Sequence, residues 1–160
     1  MDTDLLFGPE RGWYALWPVL LLPRPEPFRE PECMPAGITW PARLAHQIAP
    51  RRPLECCWYH SVRWRVAARA AVTIAREVGL RQTMDDDQMH ELAAKLLRGV
   101  SLQEPEREGA WSLLQPAIAI QPTDSGRHFI NGQHRTQAML QAGVRLTVVV
   151  RWESPDSDQA

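Results

Sequence analysis

Residues 127–152 constrain the fold more than any other part of the chain, because two strand-like segments enclose a turn and a helix. The dipeptide Asn131-Gly132 follows the first segment and tolerates the positive φ of a tight turn. A polar helix is predicted next, ending at Gly143 in the left-handed conformation typical of helix ends. The apolar run at 146–150 then predicts a second strand. This order of elements indicates an α/β or α+β domain.

The first turn of the predicted helix has the composition of an anion site. Gln133, His134 and Arg135 lie where helix amides lack intrahelical acceptors and where the positive end of the helix dipole is located. The alternative is a strand-to-helix turn with solvated polar residues. On spacing alone the two interpretations are about equally common.

Two further helices are predicted before this stretch. Ser61 is the expected cap of an amphipathic helix that continues to Val78, and Thr83 is the expected cap of a helix that ends at Gly99. Arginines of the first helix are interpreted as solvated, although a basic ridge for phosphates is the alternative. Residues 101–109 are predicted to form a charged loop.

The predicted fold is α+β, a small mixed sheet with packed helices, over residues 61–152. Strands that start at Pro116, Arg127 and Leu146 are expected to share one sheet. The expected core residues of these elements are Ile118, Ile120, Phe129, Ile130, Met139, Val148 and Val150.

Residues 1–60 differ in composition and are predicted to be a proline- and tryptophan-rich extension. A short buried strand is expected within 13–22, followed by an extended linker at 23–27. The proline-rich segment is interpreted as an arm packed on the core rather than as a ligand for a partner domain. Residues 153–160 are expected to be a disordered acidic tail.

The stretch from Leu113 to Trp152 resembles the core of the ParB/sulfiredoxin superfamily, whose Gly-x-x-Arg box matches Gly132 to Arg135. Arg81 and the acidic helix start after it resemble the opening of the same domain. In that family the box holds nucleotide phosphates. The resemblance therefore implies a nucleotide site formed by Asn131, Gly132, Gln133, His134, Arg135, Thr136 and Arg81.

The same resemblance implies a switch or a small phosphotransferase acting with a nucleoside triphosphate and Mg²⁺. Sulfiredoxin chemistry is excluded at the box, because Gln133 occupies the position of the family's catalytic cysteine. Whether the chain is an enzyme stays open, and His128 is the weak candidate for a catalytic base, beside Glu91, Glu104 and Glu106. The alternative function is a non-enzymatic accessory or regulatory protein of a DNA-associated system.

The charge balance limits the expected partners. With a net charge of −1 across 160 residues, no overall field attracts duplex DNA. Direct binding to duplex DNA is therefore not expected, whereas a DNA-associated partner protein is. The apolar run at 17–22 is too short for a membrane span.

Three cysteines, two of them adjacent, make a poor disulfide framework and favour a reducing cytoplasm. His46, Cys56, Cys57 and His60 match none of the usual zinc-ligand spacings. We therefore expect no metal site, and interpret Cys56 and Cys57 as small apolar residues beside two aromatic side chains.

Overall fold

The computed structural model describes residues 11–25, 39–78, 86–115, 118–123 and 126–153. The helices in this part of the chain are α1 (Trp40–Ile48), α2 (Trp58–Ser61), α3 (Trp64–Val78), α4 (Asp86–Gly99), α5 (Glu106–Leu114) and α6 (Gln133–Gln141). The strands are β1 (Arg11–Pro18), β2 (Ile118–Thr123), β3 (Gly126–Asn131) and β4 (Leu146–Glu153). The predicted α+β class is confirmed.

The strands form one four-stranded sheet in the order β1-β4-β2-β3. β2 and β3 are an antiparallel hairpin, and α6 then carries the chain over β2 to β4, which runs parallel to β2. β4 also pairs antiparallel with β1 along its whole length, from Arg11 opposite Glu153 to Pro18 opposite Leu146. The predicted sharing of one sheet by β2, β3 and β4 is confirmed.

The described part of the N-terminal segment is joined to this sheet through β1. Val19 and Leu22 are fully or almost fully buried, as aromatic and aliphatic composition in this segment suggested. Arg43 of α1 donates hydrogen bonds to the carbonyl oxygens of Leu20 at 2.9 Å and Leu22 at 2.8 Å. Residues 19–23 thus pack on the domain. The tail at 154–160 lies outside the described residues.

The apolar stripe of α3 is confirmed, with Ala67, Ala71 and Ile74 among its fully buried members. The predicted cap at Ser61 is wrong. Ser61 ends the short helix α2, where its hydroxyl donates to the carbonyl oxygen of Trp58 at 2.7 Å. The hydroxyl of Ser61 is satisfied inside α2, so it does not cap α3.

The predicted loop at 101–109 is wrong in its second half, because α5 begins at Glu106. Acidic residues in the first turn, Glu106 and Glu108, favour a helix start. Glu106 is also held by Arg63, whose guanidinium nitrogens lie 3.0 Å from both carboxylate oxygens. α4 ends at Gly99 as predicted, while its expected cap Thr83 lies outside the described residues.

The core lies between the sheet and α3 to α6. Of the predicted core residues, Ile118, Met139 and Val148 are fully buried. Ile120, Phe129, Ile130 and Val150 belong to strands whose side chains at these positions are not described. α6 is central, with contacts to α1, α2, α3 and β2, and therefore has little surface left for solvent.

Candidate functional site

The start of α6 has the backbone that the sequence predicted. Gly132 adopts a φ of 101°, and a Cβ added there would lie 2.7 Å from Cγ1 of Ile118. Only glycine combines this conformation with so close an approach to β2. The amide of Thr136 donates to the carbonyl oxygen of Gly132 at 2.9 Å, which closes the first turn. Gly143, with a φ of 67°, ends the helix as predicted.

The side chains of the predicted box do not share one environment. Asn131 is exposed and Gln133 is half-buried, whereas His134, Arg135 and Thr136 are buried. The solvated alternative therefore applies at most to the first residues of the turn. From His134 onward every residue of this polar helix is buried, which is unusual for a helix without an apolar composition.

Arg135, the predicted phosphate ligand, points into the domain. Its guanidinium donates a hydrogen bond to the carbonyl oxygen of Ser112, near the C-terminal end of α5. This end carries the negative pole of the α5 dipole, which favours a cation. Burial lowers the pKa of Arg135 to about 10, and the nearby Tyr59 opposes that shift. The contact joins α6 to α5 and gives Arg135 a structural role.

His134 lies in a cluster formed with α2 and the bend before it. Its ring stacks on Tyr59, with centroids 4.0 Å apart and an interplanar angle of 21°. Nε2 of His134 is 4.0 Å from Sγ of Cys57. The ring of His60 meets the ring of His134 edge to face at 5.8 Å. The segment at 56–60 thus brings Cys57, Tyr59 and His60 close to His134 at the start of α6.

Cys56, Cys57 and His60 are the closest group of this kind. Nδ1 of His60 lies 3.3 Å from Sγ of Cys56 and 3.4 Å from Sγ of Cys57. Nε2 of His60 is 2.8 Å from Oε1 of the buried Gln141. Burial lowers the pKa of His60, the bond to Gln141 opposes this, and the charge of Arg51 adds to it. His46, which the sequence grouped with these residues, is not part of the cluster.

A cleft of about 300 Å³ is lined in part by His60. Its floor is apolar, with Val62 and Trp64 before and in α3 and Ala138 and Ala142 along α6. Its rim carries the arginines Arg51, Arg52, Arg63 and Arg65, and no carboxylate is among the described residues that line it. The rim segment is fixed in place because the amide of Arg51 donates to the carbonyl oxygen of Gln141 at 2.8 Å.

The arginines of the cleft differ in their partners. Arg63 is engaged by Glu106, and this contact raises the pKa of Arg63 and lowers the pKa of Glu106. Arg51, Arg52 and Arg65 are exposed. A second cleft of about 240 Å³ continues from Arg65 and is lined by three more arginines, Arg69, Arg76 and Arg145. A basic surface therefore follows α3, despite the net charge of the chain.

The structure describes only some of the remaining predicted site residues. Arg81 lies outside the described residues. His128 is in β3, opposite Gln121 of β2, and its side chain is not described. Of the carboxylates considered as bases, Glu91 and Glu104 are exposed, and Glu106 is buried against Arg63. No described helix is long and apolar enough to cross a membrane.

Sequence reasoning kept a basic ridge for phosphates only as the alternative to solvated arginines on the first predicted helix, and it did not include Arg51, Arg52 or Arg65. It grouped Cys56, Cys57 and His60 but set zinc aside because of the spacing, and it did not connect His134 with them. Comparison with known proteins adds no identity, since no family model, curated protein or solved structure matches the chain.

Proposed function

We propose that the chain binds a phosphate-bearing ligand of the nucleotide class, as a domain of the ParB/sulfiredoxin type, in the arginine-lined cleft beside α6. The observation that carries this proposal is the pairing of an apolar floor with exposed arginines in a cleft of about 300 Å³. Small-molecule sites begin at about this volume. The resemblance of the box to a nucleotide-binding family supports the same ligand class.

The chemistry of the cleft fits the two parts of a nucleotide. The exposed Val66 and the half-buried Ala142 offer apolar surface to a base or sugar. The guanidinium groups of Arg51 and Arg52 can each give a bidentate contact to phosphate oxygens. A divalent cation such as Mg²⁺ would accompany a triphosphate and neutralise part of its charge.

The start of α6 is the rival location for the phosphates. Asn131 is exposed and Gln133 half-exposed there, and the positive end of the helix dipole favours an anion. The burial of Arg135 removes the side chain that the resemblance assigns to the phosphates. We therefore place the ligand in the cleft. Substitutions in the cleft and at the start of α6 distinguish the two locations.

The test is calorimetry and thermal shift with ATP, CTP and GTP, with and without Mg²⁺. We expect the double variant Arg51→Ala/Arg52→Ala to bind about 10- to 100-fold more weakly, since a hydrogen bond to a charged group contributes about 1.5–3 kcal/mol. Arg98→Ala, an exposed arginine of α4 that lines neither cleft, is the matched control and should bind normally. Loss of binding only in Asn131→Ala and Gln133→Ala would move the ligand to the start of α6. No nucleotide binding by the wild type would end the proposal.

A second candidate function is an accessory protein of a DNA-associated system that contacts nucleic-acid phosphates or a partner bound to them. It is favoured by the continuation of the basic surface along Arg65, Arg69, Arg76 and Arg145. Such contacts make affinity fall with salt, and each phosphate contact that is lost reduces the salt slope by about 1. We expect Arg69→Ala and Arg76→Ala to reduce the slope for a single-stranded oligonucleotide. Salt-independent or absent binding in the wild type would exclude this function.

A further inference from the structure

We infer that Cys56, Cys57, His60 and His134 form a tetrahedral zinc site at the junction of α2 and α6. The ligand atoms of the first three lie within 4.8 Å of one another. His134 approaches the same group through Nε2, 4.0 Å from Sγ of Cys57. Two thiolates and two imidazoles are a common ligand set for structural zinc in proteins.

The distances are close to those that zinc requires. With Zn–S of about 2.3 Å and Zn–N of about 2.0–2.1 Å, sulfur and nitrogen ligands of a tetrahedral ion lie about 3.5 Å apart. The two separations from Nδ1 of His60 are 3.3 Å to Cys56 and 3.4 Å to Cys57. His134 lies farther out, because its Nε2 is 4.0 Å from Sγ of Cys57 and it is outside the group of three residues whose ligand atoms lie within 4.8 Å of one another. Its ring must therefore move toward Cys56 and His60 to become the fourth ligand.

The adjacency of the two cysteines is compatible with one ion because of the local backbone. Residues 55–57 form a bend immediately before α2, and both sulfur atoms approach the same ring nitrogen, Nδ1 of His60. In a regular strand, neighbouring side chains would point to opposite faces and could not share an ion. The spacing Cys-Cys-x-x-His therefore acts as a metal-ligand spacing only when this bend is formed.

His60 is held in the orientation that a metal ligand needs. Its Nε2 lies 2.8 Å from Oε1 of Gln141, and both residues are buried. Donation from Nε2–H to this oxygen assigns the proton to Nε2, which leaves the lone pair of Nδ1 directed at the two sulfur atoms. Second-sphere hydrogen bonds of this kind orient most histidine ligands of metals.

His134 is oriented by a different contact, its stacking on Tyr59 with ring centroids 4.0 Å apart. Because His134 is in the first turn of α6, an ion in this site would join the segment at 56–60 to the central helix. Cys56 is exposed and offers the ion a path of entry, whereas His60 and His134 are buried. Zinc would replace the thiol protons of Cys56 and Cys57, so binding releases up to two protons at neutral pH.

The test uses the full chain, reduced and treated with chelator, then titrated with Zn²⁺ against a chromophoric competitor and with Co²⁺ as a spectroscopic probe. We expect one ion per chain. The cobalt form should show the intense visible bands of a tetrahedral ion and a thiolate-to-cobalt charge-transfer band. Titration in buffers of different ionisation enthalpy should report the proton release.

Substitutions then assign the ligands. Cys56→Ser and Cys57→Ser should each weaken zinc binding on the order of a hundredfold, because a site of four ligands loses one thiolate. His46→Gln is the control, a described histidine that is not part of the cluster, and should bind as the wild type does. Gln141→Leu should weaken zinc binding about 10- to 100-fold, because His60 loses the hydrogen bond that orients its ring.

Folding of the variants is checked independently, since His60, His134 and Gln141 are buried. Cys56 is exposed, so Cys56→Ser should retain the wild-type circular dichroism spectrum and metal-free melting temperature. Zinc should raise the melting temperature of the wild type and of His46→Gln more than that of Cys56→Ser. The inference is overturned if the wild type binds no stoichiometric zinc, if the cobalt form lacks the thiolate band, or if Cys56→Ser/Cys57→Ser binds zinc as tightly as the wild type.

Discussion

Helices α3 and α6 show how differently a sequence can encode burial. α3 is amphipathic, with alanine and aliphatic residues inside and Arg65, Arg69 and Arg76 exposed. α6 has the sequence Gln-His-Arg-Thr-Gln-Ala-Met-Leu-Gln, and it is buried from its second residue to its last. Periodicity predicts the first kind of helix because solvent and core lie on opposite faces. It fails for the second, whose polar side chains are enclosed by other elements.

This difference predicts that substitutions in α6 destabilise the fold more than equivalent substitutions elsewhere. The largest effect is expected for Gly132→Ala. The substitution forces an alanine into a left-handed backbone conformation and places its Cβ 2.7 Å from Cγ1 of Ile118. We expect a loss of about 2–4 kcal/mol in the free energy of unfolding, from backbone strain and overpacking together. Chemical denaturation measures it. Gly99→Ala is the control, because a Cβ there meets nothing within 4 Å, and it should change stability by at most about 0.5 kcal/mol. Equal effects of the two substitutions would contradict the close approach of α6 to β2.

The next effect is expected for Arg135→Ala. The substitution removes a buried guanidinium and its hydrogen bond to the carbonyl oxygen of Ser112, so we expect a loss of about 2–3 kcal/mol in the free energy of unfolding. Arg69→Ala, at an exposed position of α3, is the matched arginine control and should cost at most about 0.5 kcal/mol. A normally stable Arg135→Ala variant that had lost nucleotide affinity would instead return Arg135 to the phosphate site implied by the resemblance.

These two residues also show what the sequence could and could not predict. The turn at Gly132, the end of α6 at Gly143 and the sheet formed by β2, β3 and β4 follow from local rules for turns, helix ends and strands. The burial of Arg135 does not, because it depends on where α5 packs, and the start of α5 was assigned to a loop. A contact between positions 23 residues apart leaves no periodic signal in either helix.

The candidate sites depended on long-range packing in the same way. The exposure of Arg51 and Arg52 beside the apolar residues of α6 results from the backbone bond between Arg51 and Gln141. His134 meets Cys57 across 77 positions of the sequence. Spacing rules describe ligands within one local element, so they gave no reason to connect His134 with Cys56, Cys57 and His60.

The ion pair between Arg63 and Glu106 fixes the start of α3 to the start of α5, and we expect a smaller effect there. Glu106→Gln should cost about 1 kcal/mol, at the low end for charged hydrogen bonds because Arg63 is largely exposed. The pKa of Glu106 is lowered in the folded state, mainly by its hydrogen bond from Arg63. The contribution of the carboxylate is therefore present above its ordinary value of 4.5 and is lost as the pH falls through the folded pKa.

Denaturation of the wild type and Glu106→Gln at neutral and acidic pH checks this sign. The difference between them should shrink as the pH falls below 4.5, because the wild-type carboxyl then becomes protonated and resembles the amide. Glu91→Gln, an exposed carboxylate of α4, is the control and should show little difference at either pH. A difference that grows toward acidic pH would mean that the pKa of Glu106 is raised, not lowered, in the folded protein.

The smallest effect, and one of opposite sign, is expected at Gln137 in the middle of α6. Its side chain is fully buried, and its amide has no hydrogen-bond partner among the residues that the structure describes. Burying such an amide costs free energy that an apolar side chain of similar length does not. We therefore expect Gln137→Met to raise the free energy of unfolding by about 0.5–1 kcal/mol.

Met139→Gln, the reverse change two positions along the same helix, should instead destabilise the fold, because Met139 is fully buried in the apolar core. A destabilising Gln137→Met would contradict an unsatisfied amide at this position.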